Sequence, residues 1–147
     1  EGRVAVDTFK KDEAHFFDLL KQGPLPEADI VYICAGVNGT ETCAVNPMTS
    51  YRINVDGTIY VAEHYQGKAF VVWISSTTVM WLNDHYGRQK RTTENHLRTL
   101  PHVSMVRAGR IDHRNIEELC DLLLNIGYGH DRRRIVLFDN TNPYVLR

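Results

Sequence analysis

Tyr86 and Lys90 stand four residues apart at the end of the stretch Ala69 to Lys90, AFVVWISSTTVMWLNDHYGRQK. On a helix that spacing puts the phenol and the ammonium on one face, within reach of each other. A tyrosine ionises near pH of about 10 and is a poor acid or base at neutral pH until a nearby cation stabilises the phenolate. Lys90 is placed to be that cation. A hydroxyl from the run Ser75, Ser76, Thr77, Thr78 could then hold a carbonyl or alcohol oxygen while Tyr86 gives or takes its proton. A bare Y-x-x-x-K has only two fixed letters, and a tyrosine capping a core helix beside a solvated lysine reads the same way. The elements that carry these residues therefore matter.

Ala69 to Ile74 is short, apolar and rich in β-branched and aromatic residues, which predicts a strand buried on both faces of a parallel sheet. The hydroxyls follow at its carboxyl end, where open α/β sheets place ligands. Ile30 to Ala35, closing on Gly36, Val103 to Ala108, closing on Gly109, and Ile135 to Phe138 read as further strands, and Arg3 to Val6 as a short first one. Helices are expected at Asp12 to Gln22 with Phe16, Leu19 and Leu20 inward, at Met48 to Tyr65, from Tyr86 to about Thr99, and at Asn115 to Ile126 before Gly127-Tyr-Gly129. Gly57 interrupts the second, at up to about 1 kcal/mol against alanine, which predicts a close-packing neighbour such as a helix or strand. Asp139 to Pro143 is turn-rich. Alternating strands and helices with continuous apolar runs predict an α/β fold, a Rossmann-like doubly wound parallel sheet.

The 147 residues are one domain's worth of chain, with 43% hydrophobic and 24% charged residues and a net charge of −1. The balance argues against nucleic acid as partner. Cys34, Cys43 and Cys120 show neither paired number nor C-x-x-C spacing, and the seven histidines form no ligand pattern, so neither a disulfide framework nor a metal site is expected. Cys34 reads as a small core residue, Trp73 as core and Trp81 as pocket rim. No long apolar run predicts a membrane span, and a reducing cytoplasm fits.

Ala35-Gly36 at a strand end, Asn54-Val-Asp-Gly-Thr58 in the following helix, Ile74-Ser-Ser76 before Val79, Tyr86-Gly-Arg-Gln-Lys90 with Glu94, and Met105-Val-Arg107 occur in that order. This series resembles the extended short-chain dehydrogenase/reductases, and within them the NAD-dependent epimerase/dehydratase branch, over roughly residues 3 to 111. The resemblance implies catalytic roles for Tyr86 as acid or base, Lys90 as its electrostatic support and ribose ligand, and Ser76 as the clamp on the reacting oxygen. It implies cofactor contacts at Ala35, Gly36, Asn54 and Ser75 besides Tyr86 and Lys90, and substrate contacts at Thr77 and Arg107. NAD or NADP would be the cofactor and a small molecule such as a nucleotide sugar the substrate. A homodimer packed through the Met48 and Tyr86 helices is also implied.

The chain departs from the family at three places. No G-x-x-G-x-x-G or G-x-G-x-x-G occurs, so the glycine turn that normally sits under the pyrophosphate is missing, and the first residues look like the strand after it. Ser76 and Tyr86 are only ten positions apart, a short connection for this family. Residues 112–147 stand as one helix, a strand and a tail where the family builds a substrate domain, against a partial cofactor-binding core at 1–111. Two functions follow as expectations: an NAD(P)-dependent oxidoreductase or epimerase, or a catalytically silent Rossmann-like module kept for binding or assembly.

Overall fold

The computed structural model describes residues 18–129, 135–138 and 143–146; the expected strand at 3–6 and most of the expected helix at 12–22 lie outside them. Four strands run parallel: β1 (Ile30–Ile33), β2 (Phe70–Ser76), β3 (Val103–Ala108) and β4 (Ile135–Phe138). They lie side by side in chain order, the arrangement of the second half of a doubly wound sheet. The strands at 103–108 and 135–138 have the bounds their apolar runs predict. A fifth strand, β5 (Pro143–Leu146), pairs antiparallel with β4, where only a turn-rich tail was expected. The sheet is thus parallel with one antiparallel strand, and proline at its first residue is where a strand tolerates one.

Both faces of β2 are covered. On one side Val71 and Trp73 join Met105, Leu97, Val61, Ala62 and Tyr65; on the other Val72 and Val106 meet Leu119, Leu123 and Ile126. The first layer comes from the crossover between β1 and β2: α1 (Thr40–Val45), α2 (Pro47–Tyr51), a π-helical turn at Arg52–Gly57, and α3 (Thr58–His64). It also includes α4 (His85–Leu97), between β2 and β3. The second is α5 (Ile116–Gly129), which lies over β1 and β2.

The single helix predicted at 48–65 is instead a helical run widened by one π turn, and α1 before it was not anticipated. Gly57 ends the wide turn. A Cβ there would lie 2.8 Å from Leu19 Cβ and 2.9 Å from Leu19 O, so the close-packing neighbour is the turn at Leu19 rather than a helix or strand.

Gly127 was expected to stop α5, yet the helix continues through Gly129 because Gly127 is a packing site: a Cβ there would fall on the Tyr32 hydroxyl and crowd Ile30. Gly127→Ala sets overpacking of about 1–3 kcal/mol against a helix-propensity gain of up to about 1 kcal/mol. It should lower the urea midpoint in the native background and lower it less in a Tyr32→Phe background, where the hydroxyl is gone but the ring Cζ still lies 2.8 Å from the new Cβ. Equal effects in both would refute the clash.

Candidate active site

The carboxyl ends of β1, β2 and β3 share one edge of the sheet, and the residues singled out by the sequence collect there. β2 runs through Ser75 and Ser76, two residues beyond the apolar run, with Ser75 opposite Arg107 and Ser76 opposite Ala108. A strand turns alternate residues to opposite faces, so the adjacent serines have different partners. Ser76 caps a 3-10 turn at Thr77–Met80: its Oγ accepts from Thr78 N at 3.2 Å and from Thr78 Oγ1 at 2.9 Å. Its own proton remains to be donated.

Tyr86 stands in the first turn of α4, which Asp84 caps by accepting from Gly87 N at 2.7 Å. Thr40 Oγ1 donates to the other oxygen of Asp84 at 2.5 Å, and these two bonds hold the Asp84 carboxyl below its ordinary range. The cap lies two residues before Tyr86, a helix-start signal legible in the sequence. Gly87 fixes the short connection from Ser76, since a Cβ on it would lie 2.5 Å from Leu82 O. The ten-position link therefore closes only because glycine follows the tyrosine.

The phenol of Tyr86 is half-buried, and burial raises its pKa; a hydrogen bond with Ser76 pulls the other way. The sequence assigned that lowering to Lys90. In the structure the Lys90 ammonium instead donates to Ile74 O at 3.1 Å, lying 4.9 Å from the Trp73 ring centre and 5.7 Å from that of Tyr86. It packs against the ring faces rather than at the phenol oxygen, in range of the attraction between a cation and an aromatic quadrupole. Lys90 is only 6% exposed, and desolvation pushes its amine down to about 8. Trp73 beneath it was assigned to the core, where it is, without this second contact.

Asn54 is buried at the centre of the π turn. Its amide clasps the backbone of Val37 from both sides, Oδ1 accepting from Val37 N at 2.8 Å and Nδ2 donating to Val37 O at 2.9 Å. Nδ2 also donates to Gln89 Oε1 at 2.8 Å, and Gln89 Nε2 to Ser50 Oγ at 2.8 Å, while Thr93 Oγ1 donates to the Asn54 carbonyl at 3.0 Å. The π turn thus ties α4 to the loop after β1. A Cβ on Gly36 would lie 3.0 Å from Asn54 Oδ1, so Asn54 acts from beneath the Ala35-Gly36 backbone. The relay through Gln89 and Ser50 was not anticipated; uncharged polar residues on a helix give no pattern to read.

Ser75 and Arg107 have protein partners. Ser75 Oγ donates to Glu94 Oε1 at 2.6 Å, and Arg107 grips the same carboxylate with Nε to Oε1 at 2.9 Å and Nη2 to Oε2 at 2.7 Å. Glu94 is 2% exposed. One turn beyond Lys90, it carries this buried network, and its position on the lysine's stripe of α4 was the available signal. Thr77, half-buried, opens the 3-10 turn at the edge. Cys34, expected in the core, is exposed one residue past β1. Trp81 is exposed on the surface beyond the turn.

No family model matches the sequence, and no curated protein matches it. Solved structures do share the fold. A hypothetical dTDP-4-dehydrorhamnose reductase from Sulfolobus tokodaii superposes with a TM-score of 0.68 at 13% identity, over 95% of this chain and 68% of its own. A dTDP-4-dehydrorhamnose reductase from Yersinia enterocolitica gives 0.63 at 16% over 80% and 58%. The enzyme of that name from Bacillus anthracis, in complex with NADP, gives 0.60 at 19% over 79% and 57%. The chain is similar to these in a Rossmann-like α/β fold, and it spans less than two thirds of the latter two.

Proposed function

We propose that this chain carries the nicotinamide side of an NAD(P)-dependent oxidoreductase or epimerase site of the extended short-chain type. Its substrate would be a carbonyl or alcohol on a small molecule such as a nucleotide sugar. The observation that carries the reading is the pairing of Ser76 and Tyr86 at the carboxyl end of β2 with Lys90 buried alongside. Ser76 would orient the reacting oxygen and Tyr86 exchange its proton. Tyr86 is protonated at neutral pH, the state that can donate to a carbonyl oxygen during reduction; burial raises its pKa and weakens it as an acid, and the hydrogen bond with Ser76 opposes that.

The bound cofactor would give or accept the hydride. Lys90, still mostly cationic at pH 7, and Tyr86 would hold its ribose; the Ala35-Gly36 backbone, backed by Asn54 Oδ1 where a Cβ on Gly36 would lie, would pass beside it. These residues fit the nicotinamide half. For the pyrophosphate half, no glycine-rich turn occurs in the 147 residues. Asn54, Ser75 and Arg107 would act by positioning, through Val37 and Glu94, and Thr77 would line the substrate side. Exposed Met48 and Tyr51 on the first crossover suit a homodimer there. The second reading, a silent binding or assembly module, is favoured by the engagement of Ser75 and Arg107 with Glu94.

Titration with NADPH and NADH tests this, following thermal midpoint and the fluorescence of Trp73, which lies against Lys90, with mass followed by light scattering. Saturable binding that adds about 1.4 kcal/mol of stability at ten times Kd, and that Lys90→Met weakens, is expected. No response at millimolar cofactor in cooperatively unfolding protein would leave the silent module, and a monomer at high concentration would remove the homodimer.

A further inference from the structure

Two cysteines that the proposed chemistry does not use meet at the same sheet edge. α5 connects parallel strands and so runs antiparallel to them. Its Gly127 sits on Ile30 and Tyr32 of β1. Cys34 continues that face of β1 by one strand repeat, about 7 Å toward the carboxyl edge. Cys120, seven residues before Gly127, falls on the same helical stripe, about 10 Å in the same direction. The two positions are thus brought level to within about one helical turn, and both residues are exposed. Cys34 is one residue beyond the last ladder pair of β1 with β2, Ile33 with Trp73.

We propose that Cys34 and Cys120 are a thiol pair that oxidises to an intramolecular disulfide, tying the end of β1 to α5. The electrostatics agree with this proximity: desolvation raises the Cys34 thiol first, the sulfur of Cys120 raises it further, and Lys90 opposes both. With glutathione disulfide as oxidant, one protein thiolate attacks its S–S bond, forming a mixed disulfide and releasing one glutathione thiolate. The second protein thiolate attacks the protein sulfur, closing the Cys34–Cys120 bond and releasing the other. The protein loses two electrons and two protons, and the oxidant becomes two glutathione molecules. Cys43, fully buried, takes no part.

The full chain is incubated with glutathione disulfide, alkylated and mapped by mass spectrometry. The expected product is monomeric, lighter by two hydrogens, with the Cys34 peptide joined to that of Cys120. Its thermal midpoint should rise by several degrees and return with dithiothreitol, since a closed loop of this length restricts the unfolded chain. Cys120→Ser should instead leave a glutathione adduct on Cys34 and no rise. Separate adducts on Cys34 and Cys120 at saturating oxidant, or a link formed between chains, would overturn the proposal.

Discussion

Glu94→Gln should lower stability by about 3–5 kcal/mol, the cost of removing one partner from a buried ion pair. The carboxylate receives Ser75 Oγ and both arms of Arg107, with Arg98 Nη2 3.6 Å away. Glutamine keeps the shape but presents one amide edge to a guanidinium that needs two acceptors, and it leaves that charge without compensation where the Arg107 side chain is 12% exposed. The residual exposure lets water reach the guanidinium, which places the loss toward the lower end. A domain of marginal stability, about 5–15 kcal/mol in all, would then be partly unfolded near its growth temperature.

Replacing both partners, Glu94→Leu with Arg107→Met, removes the desolvation cost together with the attraction. Its penalty should be much smaller than that of Glu94→Gln. Urea unfolding of the three proteins decides the matter: a single-variant loss under about 1 kcal/mol would mean water already compensates Arg107.

The stability difference between the native protein and Lys90→Met should move by about 3 kcal/mol with pH, from the interval between the folded pKa of about 8 and the ordinary 10.5. The cause is desolvation first, partly offset by Cys43, Glu94 and Cys34. Below pH 8 both states hold the proton, and the folded state bears the full cost of a buried charge. Between 8 and 10.5 the unfolded chain is protonated and the folded one is not, so this group makes stability rise with pH.

Cys34, Cys43, Tyr65 and Tyr86, all raised, act in the opposite sense in the alkaline range, but they are present in both proteins and cancel to first order. Lys90→Met should therefore look best relative to the native protein at pH 7 and lose that standing by pH 10. A gap that stays constant across the range would show the amine to be solvated.

Parallel strands buried on both faces must be continuously apolar, so β2, β3 and β4 were legible, as was the alternation that makes the sheet doubly wound. Helical spacing alone put Tyr86 and Lys90 on one face of α4, and Gly57 announced a close contact without naming Leu19. Pairing decided the rest. The register of β2 against β3 hands Ser75 to Glu94 and Arg107 and leaves Ser76 with Tyr86, a division that four consecutive hydroxyls in a sequence do not contain. The π turn, the antiparallel β5, the placement of α5 over β1 and the exposure of Cys34 likewise depend on contacts between residues far apart in the chain. Periodicity along the chain determined which elements form and which face each buries, because burial repeats with the geometry of the element. Only the tertiary structure decided which polar group meets which, because that depends on strand register and helix placement across the whole sheet.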